Sequence, residues 1–167
     1  SDVLLDPASL CGLIAEYRIS IFESTPGIIL PLMDYIHENN LNVGFLKILV
    51  LGSDTLQSEH YRTLVERFGT AIRIVNSYGV TEATIDSSYF EQKNLDLALE
   101  GSTPIGKPLG NVQCYVLDRE SRELPIGVPG ELHIGGSGLA RGYWNRPALT
   151  AQRFVPHPVN GAARVYQ

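Results

Sequence analysis

Between residues 76 and 82 the chain reads Asn-Ser-Tyr-Gly-Val-Thr-Glu, and an aspartate, Asp86, follows shortly after. These residue types suit a phosphorylated ligand. Tyr78 offers a flat face on which a base can stack, and Gly79 lets the backbone come close. Thr81 supplies a hydroxyl for a phosphate oxygen, and Glu82 supplies a hard oxygen for a cation such as Mg²⁺. Each also has a plainer use, Tyr78 as a core aromatic and Glu82 as the charge at a helix start. Two further polar clusters, Glu-Ser-Thr-Pro-Gly at 23–27 and Gly-Ser-Asp-Thr at 52–55, likewise follow apolar, β-branched runs. In an open α/β sheet ligands bind beyond the carboxyl ends of the strands, so topology brings all three clusters to one edge. The residues by themselves reach a phosphate-ligand site and no further.

The elements that must position these clusters alternate. Pro7–Arg18 opens with proline and carries Leu10, Leu13, Ile14 and Tyr17 on one helical face. Ile-Ser-Ile-Phe-Glu-Ser, residues 19–24, reads as a strand, and Pro26 allows a helix after it that the interior Pro31 should delay or kink. Phe45–Ser53 is almost wholly apolar, as expected of a parallel strand buried on both faces. Ser58–Gly69 reads as a helix with Ser58 as cap and Gly69 as stop, and Ala71–Val75 as the next strand. Three β-α repeats predict a doubly wound, flavodoxin-like parallel sheet. After about residue 100 short β runs punctuated by Gly and Pro, among them Leu139–Trp144, predict a small antiparallel, barrel-like sheet, with one short helix near Pro147. The expected organisation is an α/β part over 1–100 and a β part over 101–167, with the change of texture in 90–103 and a solvated linker at 91–100.

Composition excludes several classes. A formal charge of −5 gives no basic footprint for nucleic acid. No apolar run approaches the ~20 residues of a membrane span. Cys11 and Cys114 lack metal-ligand spacing and read as free thiols in a reducing cytoplasm. His37, His60, His133 and His157 show no ligand spacing either, and surface or packing roles are expected for them.

Asn76–Ser88 resembles the Asn-x-Tyr-Gly-Pro-Thr-Glu segment of adenylate-forming enzymes, specifically the adenylation domains of nonribosomal peptide synthetases. Gly130–Phe154 is similar to a second long motif of that family almost letter for letter, and the closing Ala-Arg-Val-Tyr-Gln resembles the run that leads into its Thr-Gly-Asp motif. Val80 departs from the usual proline, a change expected only to loosen the loop. The resemblance implies attack of an amino-acid carboxylate on the α-phosphate of Mg·ATP, then passage of the aminoacyl group to the phosphopantetheine thiol of a carrier domain. It implies Thr81 and Glu82 as catalytic residues, with Tyr78 on adenine, Thr81 on the α-phosphate and Glu82 on Mg²⁺. Gly52, Ser53, Asp54, Asn76, Ser77 and Gly79 complete the nucleotide set. The glycine-rich 130–144 stretch is expected to be structural, with Arg141 anchoring its neighbours. Partner carrier and condensation domains of a multidomain synthetase are implied. The family's phosphate loop, its ribose-binding Asp, its catalytic Lys and the Asp that grips the substrate amino group are expected outside these residues, so the segment alone should adenylate little.

The family's side-chain pocket maps here onto Glu23, Val50, Gly52, Ser77, Ile85 and Asp86, with Leu49 and Leu51 as alternates should the register slip by one. Two acids in a small, otherwise apolar pocket call for a cation on the substrate. The pattern resembles pockets that select ornithine, with lysine and diaminobutyrate as near relatives. Two other readings stay open. An acyl-CoA or aryl-acid ligase should be apolar where Glu23 and Asp86 stand, and a non-catalytic flavodoxin-like module should lack any Mg²⁺-dependent nucleotide affinity.

Overall fold

Asp6 caps the first helix: its carboxylate accepts from the Ser9 amide at 3.0 Å, and Pro7 follows at the position where a missing N–H costs nothing. That helix, α1 (Pro7–Glu16), opens a computed structural model that describes residues 6–92, 100–157, 161 and 163–167. The chain separates into two compact units, one of residues 1–77 with 89–106, the other of 78–88 with 107–167. The division is thus discontinuous, whereas the texture of the sequence changes at one place.

In the first unit α1 is followed by β1 (Ile21–Ser24), α2 (Pro26–Glu38), β2 (Ile48–Leu51), α3 (Ser58–Phe68) and β3 (Arg73–Tyr78), whose last residue enters the second unit. β1, β2 and β3 are parallel neighbours, and β4 (Ser88–Phe90) lies on the far side of β3. The register aligns Phe22 with Leu49 and Leu49 with Ile74, so these three share one face of the sheet. That face packs on Ile14 of α1, Ile29, Leu32, Met33 and Ile36 of α2, and Tyr61 and Leu64 of α3. The mixed α/β class follows as expected, with particular differences.

β2 is not buried on both faces: Leu49 and Leu51 are fully buried, while Ile48 and Val50 are half-buried and Ile21 beside them is 58% exposed. The core of the described residues lies on the other side of the sheet. α2 does not wait for Pro31 but runs from Pro26. Pro31 and Gly27, whose carbonyl loses its helical donor, are both exposed, so water can take that bond. Ser58 is the first helical residue rather than the cap. Gln57 holds the cap position without a side-chain bond, and the Ser58 amide donates to the Gly101 carbonyl at 2.9 Å. Gly69 ends α3 at an ordinary φ of −63°. Glycine is needed there for space, because a Cβ would stand 2.5 Å from the Val65 carbonyl. β3 continues to Tyr78, so Asn76 and Ser77 belong to a strand rather than a turn.

The second unit contains a 3₁₀ turn (Thr81–Ala83), β5 (Lys107–Pro108), β6 (Val112–Leu117), β7 (Glu131–Gly136), α4 (Pro147–Arg153), β8 (Phe154–Pro156) and β9 (Arg164–Tyr166). Its antiparallel sheet has the order β6-β7-β9-β8. Leu139–Trp144 is not a strand. It loops between β7 and α4, and Gly142 takes a φ of +142° that favours glycine. His133 and His157 are buried rather than superficial: His133 lies between the Glu131 carbonyl and the Gln167 amide oxygen, both at 3.3 Å, and His157 meets the Tyr115 ring edge-on at 4.6 Å. Cys11 and Cys114 are free thiols. Most of the expected linker, 93–99, lies outside the described residues, but Glu91 at its start is bound to Arg73 at 2.6 Å.

Tyr61 ties the first unit together. Its fully buried hydroxyl lies 3.2 Å from the carbonyls of Ile74 and Gln92 and accepts from the Gln92 amide at 2.9 Å. Tyr61→Phe leaves that amide without its partner. Urea unfolding should register a loss of about 1–3 kcal/mol.

Candidate functional site

At the carboxyl edge of the first unit, Glu23 is the register partner of Val50, and Val50 of Val75. Two residues further along the same face come Gly52 and Ser77. A Cβ on Gly52 would stand 2.4 Å from the Ser77 hydroxyl oxygen, so the two are in contact and glycine is what leaves the hydroxyl its room. Glu23 is exposed, Val50 half-buried, and Gly52 and Ser77 are buried. The structure therefore brings Glu23, Val50, Gly52 and Ser77 together, and it turns Leu49 and Leu51 into the core. The Ser77 hydroxyl has no hydrogen-bond partner, a cost that a polar ligand would remove.

The other residues of this edge divide by what their side chains do. Asn76 is buried and donates to the Pro104 carbonyl at 2.9 Å, which commits its amide to holding the chain. Ser53 takes a left-handed φ of +63°, and the Asp54 carboxylate accepts from the Thr55 amide at 2.7 Å, so Ser53 and Asp54 form an exposed turn just past β2.

In the second unit the residues from Tyr78 to Ser87 close on themselves. The Ser87 amide donates to the Tyr78 carbonyl at 2.8 Å, and a Cβ on Gly79 would come within 1.9 Å of the Ile85 carbonyl oxygen and 2.7 Å of the Ser87 nitrogen. Gly79 is thus required by the turn's own backbone. Between these closures Thr84 and Ile85 both take left-handed φ values, +63° and +67°. For a β-branched residue this conformation is strained, and here it turns Ile85 out to 63% exposure and places Asp86 directly after it, half-buried. Val80 enters the turn at φ −133°, far from the roughly −65° that proline requires, so valine does more than loosen the loop: it permits a backbone that proline would not.

A second segment holds this turn from outside. The Thr84 hydroxyl donates to the Gly138 carbonyl at 2.7 Å, the Ala140 amide to the Glu82 carbonyl at 2.7 Å, and the Tyr143 phenol to the Glu82 carboxylate. Sequence reasoning missed Tyr143 and Thr84, because nothing near either residue announces a partner so distant along the chain. The Tyr143 hydrogen bond, before any other cause, holds Glu82 below the usual carboxylate range, and the same bond pushes the Tyr143 phenol up. Arg141 presents its carbonyl, which accepts from Arg164 at 3.0 Å.

Among the described residues no group of three or more His, Cys, Asp or Glu could hold a metal by itself. Glu82 fits a narrower task. A single ionised, half-buried carboxylate is what Mg²⁺ takes from a protein when phosphates and water supply the rest of its shell. Tyr78, half-buried, and Thr81, exposed, border the same turn.

Residues 1–144 match the family model described as AMP-binding enzyme. The chain is 52% identical over its whole length to gramicidin S synthase 2 of Brevibacillus brevis, of which it covers 4%. It is 50% identical over 99% of its length to tyrocidine synthase 3 of Brevibacillus parabrevis, covering 2% of it. Among solved structures, the nonribosomal peptide synthetase FmoA3 with α-methyl-L-serine-AMP bound superimposes with a TM-score of 0.83 at 27% identity, over 97% of this chain and 18% of that one. The four-domain synthetase holo-AB3403, bound to AMP and glycine, gives 0.82 at 34% identity over 99% and 12%. The chain thus spans a small fraction of its relatives. It belongs to the AMP-binding enzyme family, as a segment of an adenylation domain of the nonribosomal peptide synthetase type.

Proposed function

We propose that the protein carrying this segment activates ornithine, or a closely related basic amino acid, with Mg·ATP. A carboxylate oxygen of the amino acid forms a bond to the α-phosphorus. The bond from that phosphorus to the bridging oxygen of the β-phosphate breaks, and pyrophosphate leaves with the electron pair. The resulting aminoacyl-adenylate then gives its acyl carbon to the phosphopantetheine thiol of a carrier domain, and AMP departs. Mg²⁺, when bound, neutralises phosphate charge in the first step. A carrier and condensation domains are the partners this reading requires, and the cytoplasm, where ATP and free thiols persist, is the compartment it assigns. No helix among the described residues is long and apolar enough to cross a membrane.

Within the reading the residues take distinct tasks. In the second unit Tyr78 stacks on the base and Gly79 gives its backbone close approach; in the first, Gly52, Ser53, Asp54 and Ser77 are assigned to the nucleotide, with Asn76 bracing the strand. Thr81 donates to the α-phosphate, and Glu82 receives the cation. The observation that carries the substrate assignment is the place of Glu23: an exposed carboxylate whose register partner is half-buried Val50, at the strand edge where Gly52 meets Ser77. Asp86 and Ile85, presented by the left-handed turn, are the substrate residues assigned in the second unit. A carboxylate makes charge-assisted hydrogen bonds to a primary ammonium that a neutral substrate cannot reproduce.

Ionisation of Glu82 matters to this task, and its sign can be worked out. Its folded value lies below the ordinary 4.5, so the stabilisation it brings is complete above that value and is lost as pH falls through the folded one. The Tyr143 value is raised, so the partner's side of the same bond persists at neutral pH and is lost only in strong alkali.

Two outcomes follow. In an intact adenylation domain carrying this segment, ATP–pyrophosphate exchange should be led by ornithine over leucine, phenylalanine and glutamate. Glu23→Gln and Asp86→Asn should each lower kcat/KM for ornithine about a hundredfold, about 3 kcal/mol, without lowering exchange with leucine. Exchange led by an apolar amino acid would remove the ornithine assignment. Separately, urea unfolding of the chain between about pH 5 and about pH 3 should lose stability more steeply in the wild type than in Glu82→Gln.

A further inference from the structure

Tyr143 and Glu82 lie 61 positions apart in the chain, yet both are held at their backbones before their side chains meet. The Tyr143 amide donates to the Thr150 hydroxyl at 2.9 Å, and the Glu82 carbonyl accepts from Ala140 at 2.7 Å. The Tyr143 ring stands edge-on to buried Phe154, centroids 5.6 Å apart, and Phe154 repeats the arrangement with Tyr166 at 5.4 Å. The Arg164 guanidinium caps the other side of Phe154 at 5.6 Å and binds the Arg141 and Ala140 carbonyls at 3.0 and 3.4 Å. Packing of the Tyr143 ring therefore needs no hydroxyl; a phenylalanine would sit as well. What the hydroxyl adds is a hydrogen bond to Oε1 of Glu82, with the Tyr166 hydroxyl as a further polar neighbour of both groups.

A carboxylate that must meet a cation at a fixed place gains from having one oxygen already held. The side chain of a free glutamate loses rotamer freedom on binding, and a donor that has fixed it beforehand removes that cost. Metal-ligating carboxylates depend in this way on the hydrogen bonds behind them. We propose that Tyr143 is a positioning residue that orients the Glu82 carboxylate toward the divalent cation of the nucleotide complex. The proposal rests on the assignment of Glu82 to that cation.

The test is equilibrium binding of ATP to an intact adenylation domain carrying this segment, by calorimetry, once with saturating Mg²⁺ and once with a chelator. Tyr143→Phe should weaken Mg·ATP about tenfold and leave metal-free ATP unchanged, with thermal unfolding reporting that the variant is folded. Glu82→Gln should weaken Mg·ATP at least as much, and the double variant should be no weaker than Glu82→Gln within about twofold. Equal weakening with and without Mg²⁺ would make Tyr143 merely structural, and no weakening would also overturn the proposal. If Glu82→Gln costs Mg·ATP binding and Tyr143→Phe does not, the positioning role alone fails. If Glu82→Gln leaves the Mg²⁺ dependence intact, the assignment of Glu82 fails and takes this proposal with it.

Discussion

The closure of residues 79–87 on their own backbone is the constraint from which the second unit's chemistry follows. With Gly79 stacked against the Ile85 carbonyl and the Ser87 amide, no side chain fits at 79 and the chain between must reverse sharply. Thr84 and Ile85 absorb the reversal in left-handed conformations that cost on the order of 1–3 kcal/mol each for residues of this type. Such strain persists only where surrounding bonds over-determine it. Gly138, Ala140 and Tyr143 supply those bonds to Thr84 and to both ends of Glu82. The same contacts that hold the strain thus hold the one carboxylate assigned to a cation.

The first unit solves a different problem by simpler means. Its helices bury one face of a parallel sheet, and the opposite face carries exposed Glu23, half-buried Val50 and buried Ser77. Gly52 is glycine because a Cβ would collide with the Ser77 hydroxyl, which is buried without a hydrogen-bond partner.

Local signals were legible in the sequence and distant ones were not. Pro7 and Pro26 mark helix starts that the backbone obeys, since proline acts within one turn. The Ser58 amide instead answers to the Gly101 carbonyl, and no pattern around Ser58 could say so. The same holds at the site. The types and order of Tyr78, Gly79, Thr81 and Glu82 point to a phosphorylated ligand from spacing alone. Tyr143 sits in a stretch whose glycines read as turn-formers, and its contact with Glu82 joins residues 61 positions apart. Of the surface and packing roles open to the histidines, His133 and His157 take the packing one, with Gln167 and Tyr115, far along the chain, as neighbours.

A nucleotide joined to a basic amino acid is the ligand proposed for this wall of the domain. The most direct test is the affinity of an intact adenylation domain carrying this segment for a non-hydrolysable ornithyl-sulfamoyl adenosine, set against the leucyl analogue, by calorimetry. The ornithyl compound should bind tighter by at least about a hundredfold, and Glu23→Gln should erase most of the difference. Equal affinity for the two compounds would contradict the carboxylate pocket, and binding of neither would contradict the adenylate site itself.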